Sequence, residues 1–95
     1  MTKLTAPEIK AAQATIPAWS RRGACLRRTY EFPSFPAAVK FVNTVAQAAE
    51  KARHHPDIDI RWNRVTLALT THDASGLTEK DFALAARCDA LAEKL

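Results

Sequence analysis

Ile58-Asp59-Ile60-Arg61-Trp62-Asn63-Arg64-Val65-Thr66-Leu67-Ala68-Leu69-Thr70-Thr71-His72 alternates between apolar and polar residues in two runs, with a polar pair between them. Successive side chains of a strand point to opposite faces of its sheet. Ile58, Ile60 and Trp62 therefore define a half-buried strand, and Asn63-Arg64 turns the chain into a second strand, Val65 to His72. On that second strand Val65, Leu67, Leu69 and Thr71 share one face, and Thr66, Ala68, Thr70 and His72 share the other. His72 then points away from the most apolar face, among small polar neighbours that leave room for a ligand.

Working outward, His54-His55-Pro56 precedes this hairpin. Proline disfavours the α region for the residue before it, so His55 is extended and any preceding helix has ended. That helix runs from about Phe35 to Ala52, with Ser34 as its N-cap and Pro36 in its first turn. Phe35, Val39, Val42, Ala46 and Ala49 recur at helical spacing, and Ala38, Phe41 and Val45 widen the stripe that faces the sheet. Further upstream, Trp19-Ser20-Arg21 leads through a turn near Arg22-Gly23 into a strand from Ala24 to Phe32. There Cys25, Arg27, Thr29 and Glu31 lie on one face, and Leu26, Arg28, Tyr30 and Phe32 on the other. A short first helix spans about Ala6 to Thr15, with Thr5 and Glu8 as a capping box and Leu4 and Ile9 as a staple. A last helix follows Gly76 with the same start: Thr78 caps, Asp81 sits at N3, and Leu77 and Phe82 form the staple. Leu84, Cys88, Leu91 and Leu95 line its apolar stripe. Helix, hairpin, helix, hairpin, helix is the pattern of an α+β domain in two layers, a four-stranded antiparallel sheet with helices on one face.

The chain of 95 residues reads as one domain over residues 1–95. Its 47% hydrophobic and 25% charged residues are ordinary for a soluble globular protein. No apolar run is long enough to span a bilayer, and Met1-Thr2-Lys3-Leu4 lacks the apolar stretch of a signal peptide. Cys25 and Cys88 have no metal-type spacing, and a reduced, cytoplasmic protein is expected. The net charge is +4, and Arg21, Arg22, Arg27 and Arg28 bunch at the first hairpin. Such a cluster either touches phosphate or is a solvated hairpin surface. No nucleic-acid motif accompanies it, and the solvated surface is the preferred reading.

His54, His55 and His72 are the only histidines. Three readings of them stand side by side. Three neutral imidazoles can hold Zn²⁺, but adjacent histidines in extended backbone diverge, so only one of His54 and His55 would readily join His72 on an ion. Without a metal, imidazoles exchange protons near neutral pH and serve as general acids and bases. In the third reading they are surface loop residues with no task.

The run Glu50-Lys51-Ala52-Arg53-His54-His55-Pro56, followed by Trp62, His72 and Asp81, resembles the pterin-4a-carbinolamine dehydratase family. The pattern is a charged residue, three others, His-His-Pro, an aromatic after five more, a His after nine and an Asp after eight, and each position is filled. Ala49-Glu50-Lys51, Thr70-Thr71-His72-Asp73 and Gly76-Leu77-Thr78-Glu79-Lys80-Asp81 look like the family too, as do Ile16-Pro17-Ala18-Trp19 and Phe35 to Phe41.

The resemblance implies a hydro-lyase, a 4a-hydroxytetrahydrobiopterin dehydratase. It would convert 4a-hydroxytetrahydropterin to quinonoid dihydropterin and water, with no metal or organic cofactor, and recycle the pterin of aromatic amino-acid hydroxylases. It also implies a leading helix followed by β-β-α-β-β-α, and a homodimer or homotetramer. His54, His55 and His72 form the implied catalytic set, with His54 and His72 as general acids and His55 mainly binding and orienting. Glu50, Arg53, Pro56, Thr70, Thr71 and Asp73 join the histidines around the substrate, largely through backbone groups at 53–55 and 70–73. Trp62 and Asp81 are supporting residues: Trp62 flanks the pocket or serves a core or interface, and Asp81 caps its helix or orients His72. Glu50 touches the pterin, polarises a histidine, or is simply exposed. Arg53 stands where the animal enzymes carry Asp. Animal relatives also partner a homeodomain transcription factor, so a regulatory protein-binding module, of dimerisation-cofactor type with little catalytic role, is the alternative function. Neither nucleic acid nor membrane is an implied partner.

Overall fold

The structure, a computed structural model, describes residues 2–95. Helix α1 (Ala6–Gln13) begins at a Thr5–Glu8 capping box. Strands β1 (Ser20–Arg22) and β2 (Cys25–Glu31) form the first hairpin, around Gly23 at φ +58°. Helix α2 (Phe35–Ala52) starts at Ser34, whose side chain accepts from the Ala37 amide. Strands β3 (Asp57–Arg61) and β4 (Arg64–Leu69) form the second hairpin. A 3₁₀ turn (His72–Ala74) leads to helix α3 (Glu79–Glu93), which begins at a Thr78–Asp81 capping box. The four strands make one antiparallel sheet in the order β1-β2-β4-β3.

The helices cover one face. Leu26 and Tyr30 of β2 and Val65, Leu67 and Leu69 of β4 are buried against Ala38, Phe41, Val45 and Ala49 of α2 and Leu84, Ala85, Cys88 and Leu91 of α3. The buried positions of α2 are spaced by three and four residues, as an amphipathic helix requires. They are not the whole expected stripe. Phe35 is exposed and Ala46 faces solvent, because the contact line runs through Phe41 and Val45 instead. Leu95 is likewise exposed, beyond the end of α3.

Burial of the central strands matches the alternation in the sequence. The outer hairpin does so only in part. Ile58 and Ile60 pair with Leu67 and Val65 and so lie on the helix-covered face, but β3 is an edge strand and they remain 39% and 38% exposed. Trp62 is 74% exposed. The turn is Trp62-Asn63 rather than Asn63-Arg64, since Arg61 pairs with Arg64. Asn63 draws it there: its side chain donates to the Phe32 carbonyl at 2.8 Å, and its own carbonyl accepts from the Phe32 amide at 2.9 Å. Trp62 consequently sits at φ +53°, an uncommon conformation for a bulky residue.

The arginine cluster is divided by the pleat. Arg22 and Arg27 lie on the open face. Arg21 and Arg28 pair across with, or sit two residues from, buried Leu26 and lie on the other. Arg28 packs its guanidinium 4.3 Å from the Tyr30 ring centre and contacts Asp89 Oδ1 at 2.7 Å. Trp19 Nε1 donates to the same oxygen at 2.9 Å, and so does the Tyr30 hydroxyl. Asp89 thus ties α3 to β2 and to the segment before β1. Burial, with Asp89 adding to it, pushes the Tyr30 phenol well above its ordinary range.

Candidate active site

Two chain reversals place the histidines. The first is the end of α2. The Arg53 amide donates to the Glu50 carbonyl at 3.2 Å and the His54 amide to that of Ala49 at 3.1 Å. This is the pairing of a Schellman cap, with Arg53 in the left-handed conformation (φ 52°) that glycine usually takes. The cap turns the chain so that His54 points inward, 8% exposed, while His55 stays outside. The second reversal ends β4. Thr71 and Gly76 form an isolated bridge, and the 3₁₀ turn between them carries His72. The strand expected to reach His72 therefore stops at Leu69, and His72 is an exposed residue at the start of that turn. The polar, Gly-bounded segment after Leu69 satisfies its backbone by closing on itself.

These reversals face one cavity of about 330 Å³, within the size range of small-ligand sites. Arg53, His54, His55, Thr70, Thr71, His72 and Asp73 line it, all among the residues expected around a substrate. Ala74 and Lys80 complete the lining. Lys80 was not foreseen. Its signal was its place one residue before Asp81, on the first turn of α3, which aims at the cavity only once α3 is packed. Pro56 and Trp62 do not line the cavity. Glu50 is exposed and engages His55, with Oε1 2.8 Å from Nε2.

Asp81 does more than cap α3, and it does not reach His72. Its carboxylate is fully buried, and Oδ1 lies 2.6 Å from His54 Nε2. Oδ2 accepts from the Thr71 hydroxyl at 2.8 Å and from the Thr78 amide at 2.9 Å. A buried carboxylate is costly unless paired and hydrogen-bonded, and here both oxygens are occupied. The capping role holds, and in place of the alternative link to His72 the carboxylate meets His54, because the inward turn at the α2 cap delivers that ring to the start of α3. Among the described residues His72 makes no side-chain hydrogen bond. No three His, Cys, Asp or Glu side chains among them gather in a way that could hold a metal ion.

The model of the pterin 4 alpha carbinolamine dehydratase family matches residues 2–91. The chain belongs to that family. A relative from Chloroflexus aurantiacus, provisionally named pterin-4-alpha-carbinolamine dehydratase, is 58% identical over 89 residues, covering 94% of this chain and 96% of that one. One of the same name from Roseiflexus sp. (strain RS-1) is 54% identical over 88 residues, covering 93% and 95%. Among solved structures, a transcriptional coactivator/pterin dehydratase from Brucella melitensis superposes with a TM-score of 0.92 at 32% identity, covering 96% of this chain and 99% of that one. A pterin dehydratase-like protein described as a RuBisCO assembly factor in the alpha-carboxysome gives 0.66 at 28% identity, covering 78% and 86%.

Proposed function

We propose that this family member dehydrates 4a-hydroxytetrahydropterins by histidine acid–base catalysis. The observation that carries the reading is the shared cavity: His54, backed by a buried carboxylate, and His72, open to solvent, line it from two separate stretches of chain. The 4a-hydroxyl leaves only when protonated. An imidazolium donates that proton, water departs as the C4a–O bond breaks, and the N5 lone pair stabilises the cation. Loss of the N5 proton to a base gives the quinonoid dihydropterin. The hydroxyl stands on one or other face of the ring, so acids from two directions suit the chemistry. His54 and His72 serve as the acids, His55 orients with Glu50 behind it, and backbone groups near 53–55 and 70–73 hold the pterin edge. Recycling of the pterin of aromatic amino-acid hydroxylases is the accompanying physiological reading, in the cytoplasm. Self-association is part of it: Ile58, Ile60 and Trp62 leave an apolar, exposed sheet edge that a homodimer or homotetramer would cover. The same edge is what a regulatory module would offer a partner protein.

The test is an assay with chemically generated 4a-hydroxytetrahydropterin, run with and without chelator. Wild-type protein accelerates dehydration in both. His54→Ala and His72→Ala each lower turnover about ten-fold or more while the fold persists. Full activity in both variants overturns the assignment.

A further inference from the structure

The proton arrangement around Asp81 can be read from donors and acceptors alone. Oδ2 receives the Thr71 hydroxyl proton and the Thr78 amide proton. Thr71 Oγ1 is also 2.8 Å from Thr78 Oγ1. Thr71 has one hydroxyl hydrogen and gives it to the carboxylate, so the Thr78 hydroxyl donates to Thr71. Thr78 Oγ1 in turn accepts from the Lys80 amide at 3.3 Å. The donors run one way, toward Asp81, and Thr71, Thr78, Asp81 and His54 are all buried. With Oδ2 already receiving two donors, the carboxylate acts as the acceptor here, which assigns the proton in the 2.6 Å contact to His54 Nε2. The other ring nitrogen, Nδ1, makes no hydrogen bond among the described residues, and none of their unpartnered polar side-chain atoms is fully buried. Nδ1 therefore keeps some exposure, on a residue that lines the cavity.

We propose that Thr71 is a positioning residue, whose hydroxyl fixes the Asp81 carboxylate so that Oδ1 stays aimed at His54 Nε2, which keeps its proton there while Nδ1 exchanges protons with the substrate. The same residue reaches the second histidine through its backbone. The Thr71 carbonyl accepts from Ala74 at 3.1 Å and from Gly76 at 3.4 Å, and its amide donates to Gly76 at 3.3 Å, closing the turn that bears His72. Thr71 thereby keeps the two histidines in one register: its side chain acts on His54 and its backbone on His72. The catalytic part of this inference rests on the dehydratase reading; the tautomer does not.

Thr71→Val keeps the side-chain shape and removes the hydroxyl, while Thr71→Ser keeps the hydroxyl. Nitrogen NMR of histidine-labelled protein, without substrate and at a pH where the ring is neutral, shows wild-type His54 with a pyrrole-type Nε2 and a pyridine-type Nδ1. In Thr71→Val the two forms mix, kcat falls about ten-fold (the rate equivalent of one hydrogen bond), and KM changes less than about two-fold. Thr71→Ser restores both the spectrum and kcat. Neutral wild-type His54 protonated at Nδ1 instead of Nε2 overturns the proposal, a result that needs no variant to fold. So does a folded Thr71→Val that keeps both the wild-type spectrum and the wild-type kcat. Protein that is inactive yet shows Nε2–H at His54 strikes at the dehydratase reading alone. Full activity with neutral His54 protonated at Nδ1 instead of Nε2 strikes at this inference alone.

Discussion

Asp81→Asn changes one atom at the point where fold and chemistry meet. The amide oxygen takes the Oδ2 position and keeps the Thr71 and Thr78 donors, at 2.8 and 2.9 Å in the native protein. The amide NH₂ then faces His54 Nε2, where a carboxylate oxygen stood at 2.6 Å. Two donors cannot face each other, so His54 accepts at Nε2 and carries its proton on Nδ1. A hydrogen bond to a charged group contributes ~1.5–3 kcal/mol and a neutral one ~0.5–1.5, so the exchange costs about 1–1.5 kcal/mol. In a domain of this size that lowers Tm by roughly 5–10 °C, leaving the variant folded at 25 °C. Asp81→Ala, which strands a buried imidazole and two donors, costs ~3–5 kcal/mol. On the proposed dehydratase reading, the catalytic effect is larger than the stability effect. Dehydration through His54 loses ~10²–10⁴ in rate, the worth of a positioned general acid. Chemically generated substrate carries the hydroxyl on both ring faces. A stopped-flow trace of Asp81→Asn therefore splits into a fast part served by His72 and a slow part that depended on His54. A single phase at the wild-type rate, with Tm within about 2 °C of wild type, would refute the coupling of the cap to the chemistry.

Asp89→Ala removes the shared acceptor of Trp19, Arg28 and Tyr30 and is expected to cost roughly 2–4 kcal/mol, most of it from the two aromatic donors, since the partly exposed Arg28 pair contributes little. Asp89 lies about 12 Å along α3 from Asp81, so kcat at 10 °C should stay near wild type while Tm falls, and a loss of kcat with unchanged Tm would contradict this. The Cys88 thiol, raised to about 12 by burial and then by Asp89, holds its proton in the folded chain, whereas an unfolded thiol loses it above about pH 8.5. The unfolded state then binds fewer protons, so stability is full below that pH and declines as pH rises toward 12, with Tyr30 adding to the decline above about pH 10. A thermal melt series should show Tm falling from about pH 9 upward and less steeply in Cys88→Ala; a flat profile to pH 11 would contradict it.

Most of the element order was legible because its signals are local. Thr5–Glu8 and Thr78–Asp81 mark helix starts through side chains that reach only three residues, and both boxes form. His55-Pro56 ends α2 by a steric rule within one dipeptide, and α2 does end at Ala52. Period-two burial in β2 and β4 needs only that one face be covered. The misreadings concern position in the sheet. Nothing in Ile58-Asp59-Ile60 distinguishes an edge strand from a central one, and strand order comes from which hairpin pairs with which. The shift of the turn to Trp62-Asn63 depended on Phe32, thirty-one residues from Asn63. In the arginine cluster, membership was visible, but the division into Arg22 and Arg27 on one face and Arg21 and Arg28 on the other waited on pairing register.

For the site, residue identity came from the sequence and pairing came from the fold. His54, His55 and His72 stand out in any reading, because few side chains exchange protons near neutrality. Which carboxylate serves which imidazole is a matter of a few ångströms between segments 27 residues apart, and no spacing rule carries that. Asp81 shows the division most clearly. As an N3 capping residue it was readable from Thr78 alone, since a cap is an interaction within one helical turn. As the partner of His54 it exists only because the left-handed cap at Arg53 and the packing of α2 against α3 bring two helix ends together, and directional contacts of that kind are decided by the assembled core.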